Sequence, residues 1–362
     1  MRMSHRERVL AAVERRPTDI LPVGFKASDD VLRRLQAHFG AADVPALVRA
    51  LPVDTYGVFN NCLHGVYPLY RGDSTRVLYP AIRPDGTWDT VYGYRRRWVA
   101  CVGGHNDEVI DHPLENAESL ADFQKYAWPR ADAFDYSTIA GQCAAVDEYA
   151  ILFLAGGLGQ VANLLGFERS LMEMALQPEL VDYCHATMGE FFVELTDRTL
   201  RAAQGRIDII CVQDDFGTQS GNLISLEMYR RFFKPYHRRI FEVAKRHGAK
   251  VMQHSCGAVF DFIPDFIEIG VDILDPIQTT AVGMDPRRLK REFGKDLCFH
   301  GGIDVQNILV RGTTQDVRRH LDELVETLGQ GGGFILAPSH YIHGDAPWEN
   351  ILAIFDHVGK WR

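Results

Sequence analysis

The chain has 362 residues, of which 46% are hydrophobic and 24% are charged, a composition typical of a globular protein. Its formal net charge of −9 argues against nucleic-acid binding, because nucleic acids select basic surfaces that neutralise phosphates. No apolar run approaches the roughly 20 residues that a membrane-spanning helix needs.

Cysteine usage and the N-terminus predict a cytoplasmic protein. Residues 1–16 are charged throughout and lack the apolar core of a secretion signal. The cysteines are odd in number and show no paired spacing, which is typical of a reducing compartment. They are Cys62, Cys101, Cys143, Cys184, Cys211, Cys256 and Cys298.

In chain order, a helical segment over residues 3–14 precedes eight short apolar runs with strand character. The runs are 20–25, 53–59, 150–154, 207–212, 250–253, 272–274, 297–299 and 333–336. Helical periodicity fills most of the intervals, as in 171–201, 228–247, 259–269 and 314–329, the last being a helix that begins after Thr314 and ends at Gly329. Strand and helix in alternation, repeated eight times, predict a closed (β/α)8 TIM barrel.

One segment interrupts this alternation. Residues 75–102 alternate in strand fashion around Arg83-Pro84-Asp85-Gly86, a strong turn signal. We expect an inserted β-hairpin after the second barrel strand, covering part of the barrel mouth or an interface. No domain boundary is evident, so residues 1–362 are expected to form a single domain, paired as a homodimer.

His254-Ser255-Cys256-Gly257 follows the fifth strand run. In an extended strand, residues two apart point to the same face, so the imidazole and the thiol would project together. Such a pair is half of a Zn²⁺ site, placed where parallel barrels have their active sites. The structural alternative is a buried histidine beside an inert thiol.

Polar residues follow the fourth strand run as well. Asp214 and Asp215 come directly after it, and Asp215 is the better candidate for general base or fourth metal ligand because Asp214 would alternate to the other side. Gln219 is a candidate contact for a substrate oxygen. Helix capping and loop solubility explain the two acids equally well.

Further mouth candidates come from three other strand ends. Asp304 can accept hydrogen bonds from substrate or catalyse proton transfer, although a helix N-cap is the alternative. His300, Gln278 and Asp54 are candidate substrate contacts. Cys298 shares a face with His300, but it lies deeper in its strand and is expected to pack in the core.

Five stretches resemble the superfamily of uroporphyrinogen decarboxylase and the zinc methyltransferases. They are 254–257 (His-Ser-Cys-Gly), 270–276 (Gly-Val-Asp-Ile-Leu-Asp-Pro), 300–304 (His-Gly-Gly-Ile-Asp), 331–338 (Gly-Gly-Gly-Phe-Ile-Leu-Ala-Pro) and 347–351 (Pro-Trp-Glu-Asn-Ile). The resemblance covers most of the chain, is strongest in its C-terminal half, and implies a (β/α)8 barrel.

Within this superfamily the departures favour the methyltransferases. True decarboxylases carry an arginine-rich loop after the first strand to hold the substrate's carboxylates. Here residues 23–30 offer one lysine, Lys26, and two acids, Asp29 and Asp30. A polycarboxylate needs forked cationic donors, so a neutral or hydroxylated substrate is expected instead.

The resemblance also implies a third zinc ligand after the last strand, usually a cysteine. Ser339-His340 occupies that place, so His340 is expected to complete a His₂Cys site with His254 and Cys256. An imidazole in place of a thiolate favours an oxygenated substrate over a thiol. His343, three residues on, is a candidate acid catalyst or a surface histidine.

These features predict a zinc-dependent methyltransferase that acts on a small oxygenated molecule. Relatives commonly exchange methyl groups with a corrinoid, and this chain has no Asp-x-His-x-x-Gly corrinoid signature, so a separate corrinoid protein would be the partner. The alternative is a metal-free decarboxylase or lyase in which Asp215 or Asp304 is the acid. A non-catalytic binding protein on the same barrel is the third possibility.

Overall fold

Eight parallel strands, most followed by helices, form the main body of the protein in a computed structural model that describes residues 2–56, 66–70, 82–101 and 104–362. The strands within these described ranges are β1 (Gly24–Phe25), β2 (Thr55–Tyr56), β3 (Leu69–Tyr70), β4 (Thr87–Asp89), β5 (Arg95–Cys101), β6 (Gly104–Asp111), β7 (Phe134–Asp135), β8 (Leu152–Gly156), β9 (Ile209–Gln213), β10 (Lys250–His254), β11 (Ile273–Ile277), β12 (Cys298–Ile303) and β13 (Phe334–Pro338). Each predicted strand run overlaps one of the eight parallel strands.

The helices lie before, between and after these strands. They are α1 (His5–Val13), α2 (Asp29–Phe39), α3 (Val44–Ala50), α4 (Leu120–Lys125), α5 (Ile139–Ala144), α6 (Gln160–Leu165), α7 (Phe167–Leu176), α8 (Pro178–Ala203), α9 (Leu226–Met228), α10 (Lys234–Arg246), α11 (Ile263–Glu268), α12 (Pro286–Phe293), α13 (Ile308–Arg311), α14 (Thr314–Leu328) and α15 (Trp348–Gly359).

The parallel strands follow one another around a (β/α)8 barrel. β8 to β13 form a six-stranded sheet in sequence order, and β1 pairs with β2. Val23 bridges Leu336 in parallel, and the Leu336 N–H donates to the Pro22 carbonyl at 3.0 Å, which joins β13 to β1. The remaining edge, between β2 and β8, borders residues 57–65, which lie outside the described residues together with the end of the second strand run and Cys62.

Side chains on the barrel strands alternate between two cores. Ile210, Val251, Leu274 and Phe299 point outward into the layer shared with the helices. Their neighbours along the same strands point into the barrel, where Ile209, Met252, Ile273, Cys298 and Ile335 pack against Val9, Ala12 and Val13 of α1. The predicted N-terminal helix therefore closes the N-terminal end of the barrel, and Cys298 packs in the core as expected.

Local chemistry moves several predicted helix boundaries. The pattern over 171–201 is two helices, because Pro178 lacks an N–H and starts α8. The pattern over 228–247 contains a π-helical turn at Tyr229–Phe233 before α10. The N-cap of α14 is Thr313 rather than Thr314, since the Thr313 hydroxyl accepts from the Asp316 N–H at 3.2 Å.

The inserted β-structure is larger than the predicted hairpin. The turn is confirmed, with the Gly86 N–H donating to the Arg83 carbonyl at 2.9 Å and Gly86 at φ +77°. However, β4, β5 and β6 form a three-stranded antiparallel sheet that runs on to Asp111, because the strand pattern resumes after the glycines at 103 and 104. Residues 75–81 and 102 of the predicted hairpin lie outside the described residues.

Candidate metal centre

The site begins with the predicted pair at the end of β10. His254 is the last residue of β10, and Cys256 lies two residues further on, where the chain turns at Gly257 with φ +84°. Only glycine fits this turn, because a Cβ on Gly257 would approach the Gly217 carbonyl carbon to 2.6 Å. The His254 Nε2 and the Cys256 Sγ are 3.5 Å apart, so the two side chains do converge.

Asp215, from the turn after β9, joins this pair. Its Oδ1 lies 3.8 Å from the His254 Nε2 and accepts the Cys256 backbone N–H at 2.7 Å. Ligand atoms of Asp215, His254 and Cys256 all lie within 4.8 Å of one another. Tetrahedral zinc places nitrogen and sulfur ligands roughly 3.5 Å apart, and nitrogen and oxygen ligands roughly 3.4 Å apart. The three donors therefore fit a zinc ion after a small movement of Asp215.

Asp275 on β11 holds the far edge of the His254 ring. The His254 Nδ1 lies 2.5 Å from the Asp275 Oδ2, and the His300 Nδ1 lies 2.5 Å from the Oδ1. Metal-binding histidines generally donate their second ring N–H to such a carboxylate, which fixes the tautomer. With its Nδ1 held by Asp275, the ring directs its Nε2 toward Cys256 and Asp215.

Charges at this level of the barrel compensate one another. Burial by itself would raise the pKa of Asp275, but Lys26 and His300 and the bond from His254 hold it well below its usual range. Burial would lower the pKa of His254, but Cys256 and Asp275 raise it to about 10. Anionic partners thus surround the imidazole, an arrangement that suits a cation in this position.

The prediction that His340 is the third ligand is not supported by the geometry. His340 lies two residues beyond the end of β13, on the rim loop, and it is not within 4.8 Å of all three clustered donors. Desolvation in the cavity, together with Lys26 and His254, lowers the pKa of His340 to about 4. In the described residues, Asp215 rather than His340 therefore clusters with His254 and Cys256.

The two adjacent aspartates have separate tasks, as the strand alternation predicts. The Asp214 carboxylate accepts the Leu158 N–H at 3.0 Å and contacts the His237 Nε2 at 2.7 Å, so it braces the turn after β8. Asp215 is exposed and faces the cavity.

Asp54 was predicted to contact substrate, and the structure places it away from the main cavity. It precedes β2 and therefore lies at the N-terminal end of the barrel, opposite the metal centre. Its buried carboxylate is bound there by Arg8 at 2.5 Å, by His5 at 2.8 Å and by Arg362. Asp54 is a structural residue of the barrel floor.

Four other predicted contacts are used within the protein. The Asp304 carboxylate accepts the N–H groups of Gln306 and Asn307 at 2.8 and 2.9 Å, in the turn that precedes α13. The Gln278 amide oxygen accepts the Gly257 N–H at 3.0 Å and so supports the turn that follows Cys256. Gln219 donates to Gln306 at 3.1 Å. None of these side chains, nor that of His300, lines the main cavity in the described part of the chain.

The main cavity opens above the metal centre and has a volume of about 1200 Å³. The antiparallel sheet covers one side of it, as predicted, with Trp88 and Trp98 in contact at a ring distance of 5.1 Å. His343 lines the cavity too, 6.2 Å from the His340 ring. A smaller cavity of about 480 Å³ lies beyond these two histidines.

A family comparison agrees with this architecture. The profile of the family "Uroporphyrinogen decarboxylase (URO-D)" matches residues 111–361, more than two thirds of the chain. The chain belongs to the uroporphyrinogen decarboxylase family. The matched range includes Asp215, His254, Cys256 and Asp275, whereas Lys26 and nearly all of the antiparallel sheet precede it.

Two proteins of Methanosarcina mazei are similar to this family member. A methylated-thiol–coenzyme M methyltransferase is 29% identical over 106 residues, which are 29% of this chain and 27% of that protein. The solved structure of a methyltransferase superposes with a TM-score of 0.62 at 19% identity and covers 99% of both chains. The second likeness shows that the two proteins share a fold.

Sequence reasoning missed two residues of the site, Asp275 and Lys26. Asp275 is the third residue of β11 and pairs with His254 across the sheet, so a polar residue at an inward strand position was the available signal. Lys26 is only 2% exposed despite its charge and follows β1 at the same end of the barrel. No helix in the described ranges is long and apolar enough to cross a membrane.

Proposed function

We propose that this protein is a zinc-dependent methyltransferase that acts on a small oxygenated substrate. The observation that carries the proposal is the convergence of Asp215, His254 and Cys256 at the barrel mouth, with Asp275 bound behind His254. The similarity to methyltransferases supports the reaction class. By family resemblance, a corrinoid on a separate protein would exchange the methyl group.

Each residue would contribute a distinct property to the site. His254 and Cys256 would bind the metal through nitrogen and sulfur, and Asp215 would add an oxygen. Zinc, when bound, supplies a Lewis acid that activates a substrate oxygen or sulfur as a nucleophile. His343 is our candidate for moving a proton, because it lines the cavity and is only half-buried.

The choice of an oxygenated substrate rests on the donor set. An imidazole as third ligand would make the site poorer in negative charge, and Asp215 restores that charge. Carboxylate is nevertheless a harder donor than thiolate, so a site with Asp215 favours hard oxygen ligands more than a two-cysteine site does.

The charge of the cavity also favours a neutral or hydroxylated substrate. The only lysines or arginines among its described lining residues are Arg33 and Arg96, which pair with Asp30 at 3.0 Å and Asp107 at 2.8 Å. Aspartates outnumber them, namely Asp29, Asp30, Asp107, Asp214, Asp215 and Asp345. A polycarboxylate would meet net repulsion in such a cavity.

Metal analysis combined with an activity assay tests this function. Protein purified without chelator should contain close to one zinc per chain, and should transfer the methyl group of methylcobalamin to a hydroxylated or thiol acceptor. His254→Ala should abolish both zinc binding and transfer. A zinc-free protein of unchanged activity would refute the proposal, and decarboxylation of uroporphyrinogen by that protein would establish the metal-free alternative.

We also propose that residues 1–362 fold as one domain and pair as a homodimer. A single cooperative unfolding transition in calorimetry and a dimer mass in light scattering are the expected results. Two separate transitions, or a monomer mass, would contradict the respective part.

A further inference from the structure

Three neighbouring strands place His254, Asp275 and His300 at one level inside the barrel. Each stands two residues beyond an inward-facing apolar residue of its own strand, namely Met252 on β10, Ile273 on β11 and Cys298 on β12. His254 and Asp275 are register partners, and the pairing of Leu274 with Phe299 on β12 sets the next residues, Asp275 and His300, beside each other. The three side chains are buried, at 4%, 0% and 3% exposure respectively.

The Asp275 carboxylate is hydrogen-bonded to an imidazole on each side. Each of its oxygens lies 2.5 Å from an Nδ1, one from His254 and the other from His300. An ionised carboxylate only accepts hydrogen bonds, so both Nδ1 atoms carry a proton. The carboxylate can therefore rotate or shift only if the bond to His300 is given up.

The other edge of the His300 ring is fixed by packing. A Cβ on Gly24 would lie 3.0 Å from the His300 Nε2, 2.7 Å from the Thr55 Oγ1 and 3.2 Å from the Ala337 Cβ. Glycine at the start of β1 thus leaves just enough room for the ring. Because His300 does not line the main cavity, it has no direct path to a ligand there.

We propose that His300 is a positioning residue for the metal centre, acting through Asp275 to hold His254 with its Nε2 toward Cys256 and Asp215. The inference rests on the proposed zinc site and assigns His300 a role other than substrate contact. Loss of a partner behind a metal-binding histidine typically weakens metal binding about 10- to 100-fold. For His300, one bond further from the metal, we expect the lower end of that range.

Two amide substitutions test whether the site needs a hydrogen-bond donor at the Nδ1 position of His300 or only a polar side chain. In His300→Asn the side-chain amide nitrogen takes the place of Nδ1, so zinc affinity should stay within about threefold of wild type. In His300→Gln the amide nitrogen lies at the Nε2 position, so affinity should fall about tenfold. The zinc dissociation constant is measured by competition with a chromophoric chelator, and the ligand-field spectrum of the Co²⁺ form reports the coordination geometry.

His185→Asn is the matched control. His185 is a buried histidine on α8 whose Nδ1 lies 2.8 Å from the Phe232 carbonyl oxygen, and it touches no residue of the metal centre in the described structure. It should lower the melting temperature and leave zinc affinity unchanged.

The outcomes distinguish this inference from the function on which it rests. Equal zinc affinities and Co²⁺ spectra for wild type and both His300 variants would overturn the positioning role and leave the zinc site standing. Should His300→Gln not fold, Gly24→Ala, which presses on the ring, must weaken zinc binding in folded protein, and unchanged binding would overturn the inference. A wild-type protein that binds no zinc would refute the proposed function itself.

Discussion

Two successive levels of the barrel interior have opposite chemistry. The lower level consists of Met252, Ile273 and Cys298, which pack against the apolar face of α1. Two residues along the same strands, about 6.6 Å higher, stand His254, Asp275 and His300. Because residues two apart on a strand face the same side, both sets of side chains point into the barrel. They differ only in their position along the strands, which makes the lower level apolar and the upper level polar.

The lower end also has its own charged cluster, which differs from the upper one in completeness. Asp54 is enclosed by His5, Arg8 and Arg362, so its oxygens are fully used by the protein. At the upper end, the His254 Nε2, the Cys256 thiol and Asp215 point at one another and at the cavity. A buried polar cluster whose hydrogen-bond partners all belong to the protein stabilises the fold. Nitrogen, sulfur and oxygen atoms that converge on one point beside a cavity are instead suited to binding a ligand.

The largest effect should come from removing Arg8, one of the two arginines that bind Asp54 at the N-terminal end of the barrel. Arg8→Met leaves Asp54 without its 2.5 Å partner, and breaking such a buried pair costs about 3–5 kcal/mol of unfolding free energy. Urea unfolding measures the loss, and zinc content should not change. Arg16→Met, which removes an exposed pair with Glu14, is the control and should cost less than about 1 kcal/mol. Similar losses for the two variants would contradict the distinction.

Serine substitutions of two cysteines, one near each level of the barrel interior, allow a direct comparison of the two levels. Cys256→Ser should weaken zinc binding about a hundredfold, since loss of a residue that only supports a metal ligand can already cost that much. The melting temperature should change little. Cys298→Ser places a hydroxyl in the apolar floor and should cost about 1–3 kcal/mol of stability. It should leave zinc affinity intact. The reverse pattern in zinc titration and thermal unfolding would show that the levels have been assigned wrongly.

Lowering the pH from 5 to 2 should reduce the stability that the ionised Asp54 contributes at the N-terminal end of the barrel. Burial by itself would raise the pKa of Asp54, but the bonds from His5 and Arg362 lower it to about 2. A carboxyl whose pKa is depressed in the folded state stabilises fully above its unfolded value of 3.8, and this contribution is lost as pH falls toward 2. The contribution is about 2 kcal/mol. The difference in unfolding free energy between wild type and Asp54→Asn should therefore shrink from pH 5 to pH 2, and a constant difference would disprove it.

The smallest expected effect concerns the adjacent aspartates. Asp215→Asn keeps the acceptor for the Cys256 N–H but loses the charge, so zinc affinity should fall about tenfold with stability within about 0.5 kcal/mol of wild type. Asp214→Asn should instead destabilise the protein, because it weakens the bonds to Leu158 and Gly159. Isothermal titration with zinc and urea unfolding distinguish the two. Equal zinc affinities for both variants would remove Asp215 from the ligand set.

The sequence by itself determined the strands and what each strand presents. Apolar runs and the helical patterns between them located all eight barrel strands, because burial of alternate residues is a local property of an extended chain. The same period placed His254 with Cys256 and separated Asp215 from Asp214. Asp54 stands at the start of the second strand run, and residues at strand starts lie at the N-terminal end of a barrel, whereas the mouth is formed after the strand ends.

Only the tertiary structure decided which distant side chains complete the site. Asp215 and His340 both follow barrel strands, and no local pattern tells which reaches the His254 Nε2, since that depends on the course of each loop across the mouth. The clasp of Asp275 by His254 and His300 likewise depends on the register of three neighbouring strands. Register and loop course are set by the packing of the barrel, so residues far apart in the chain meet at distances that no local sequence spacing encodes.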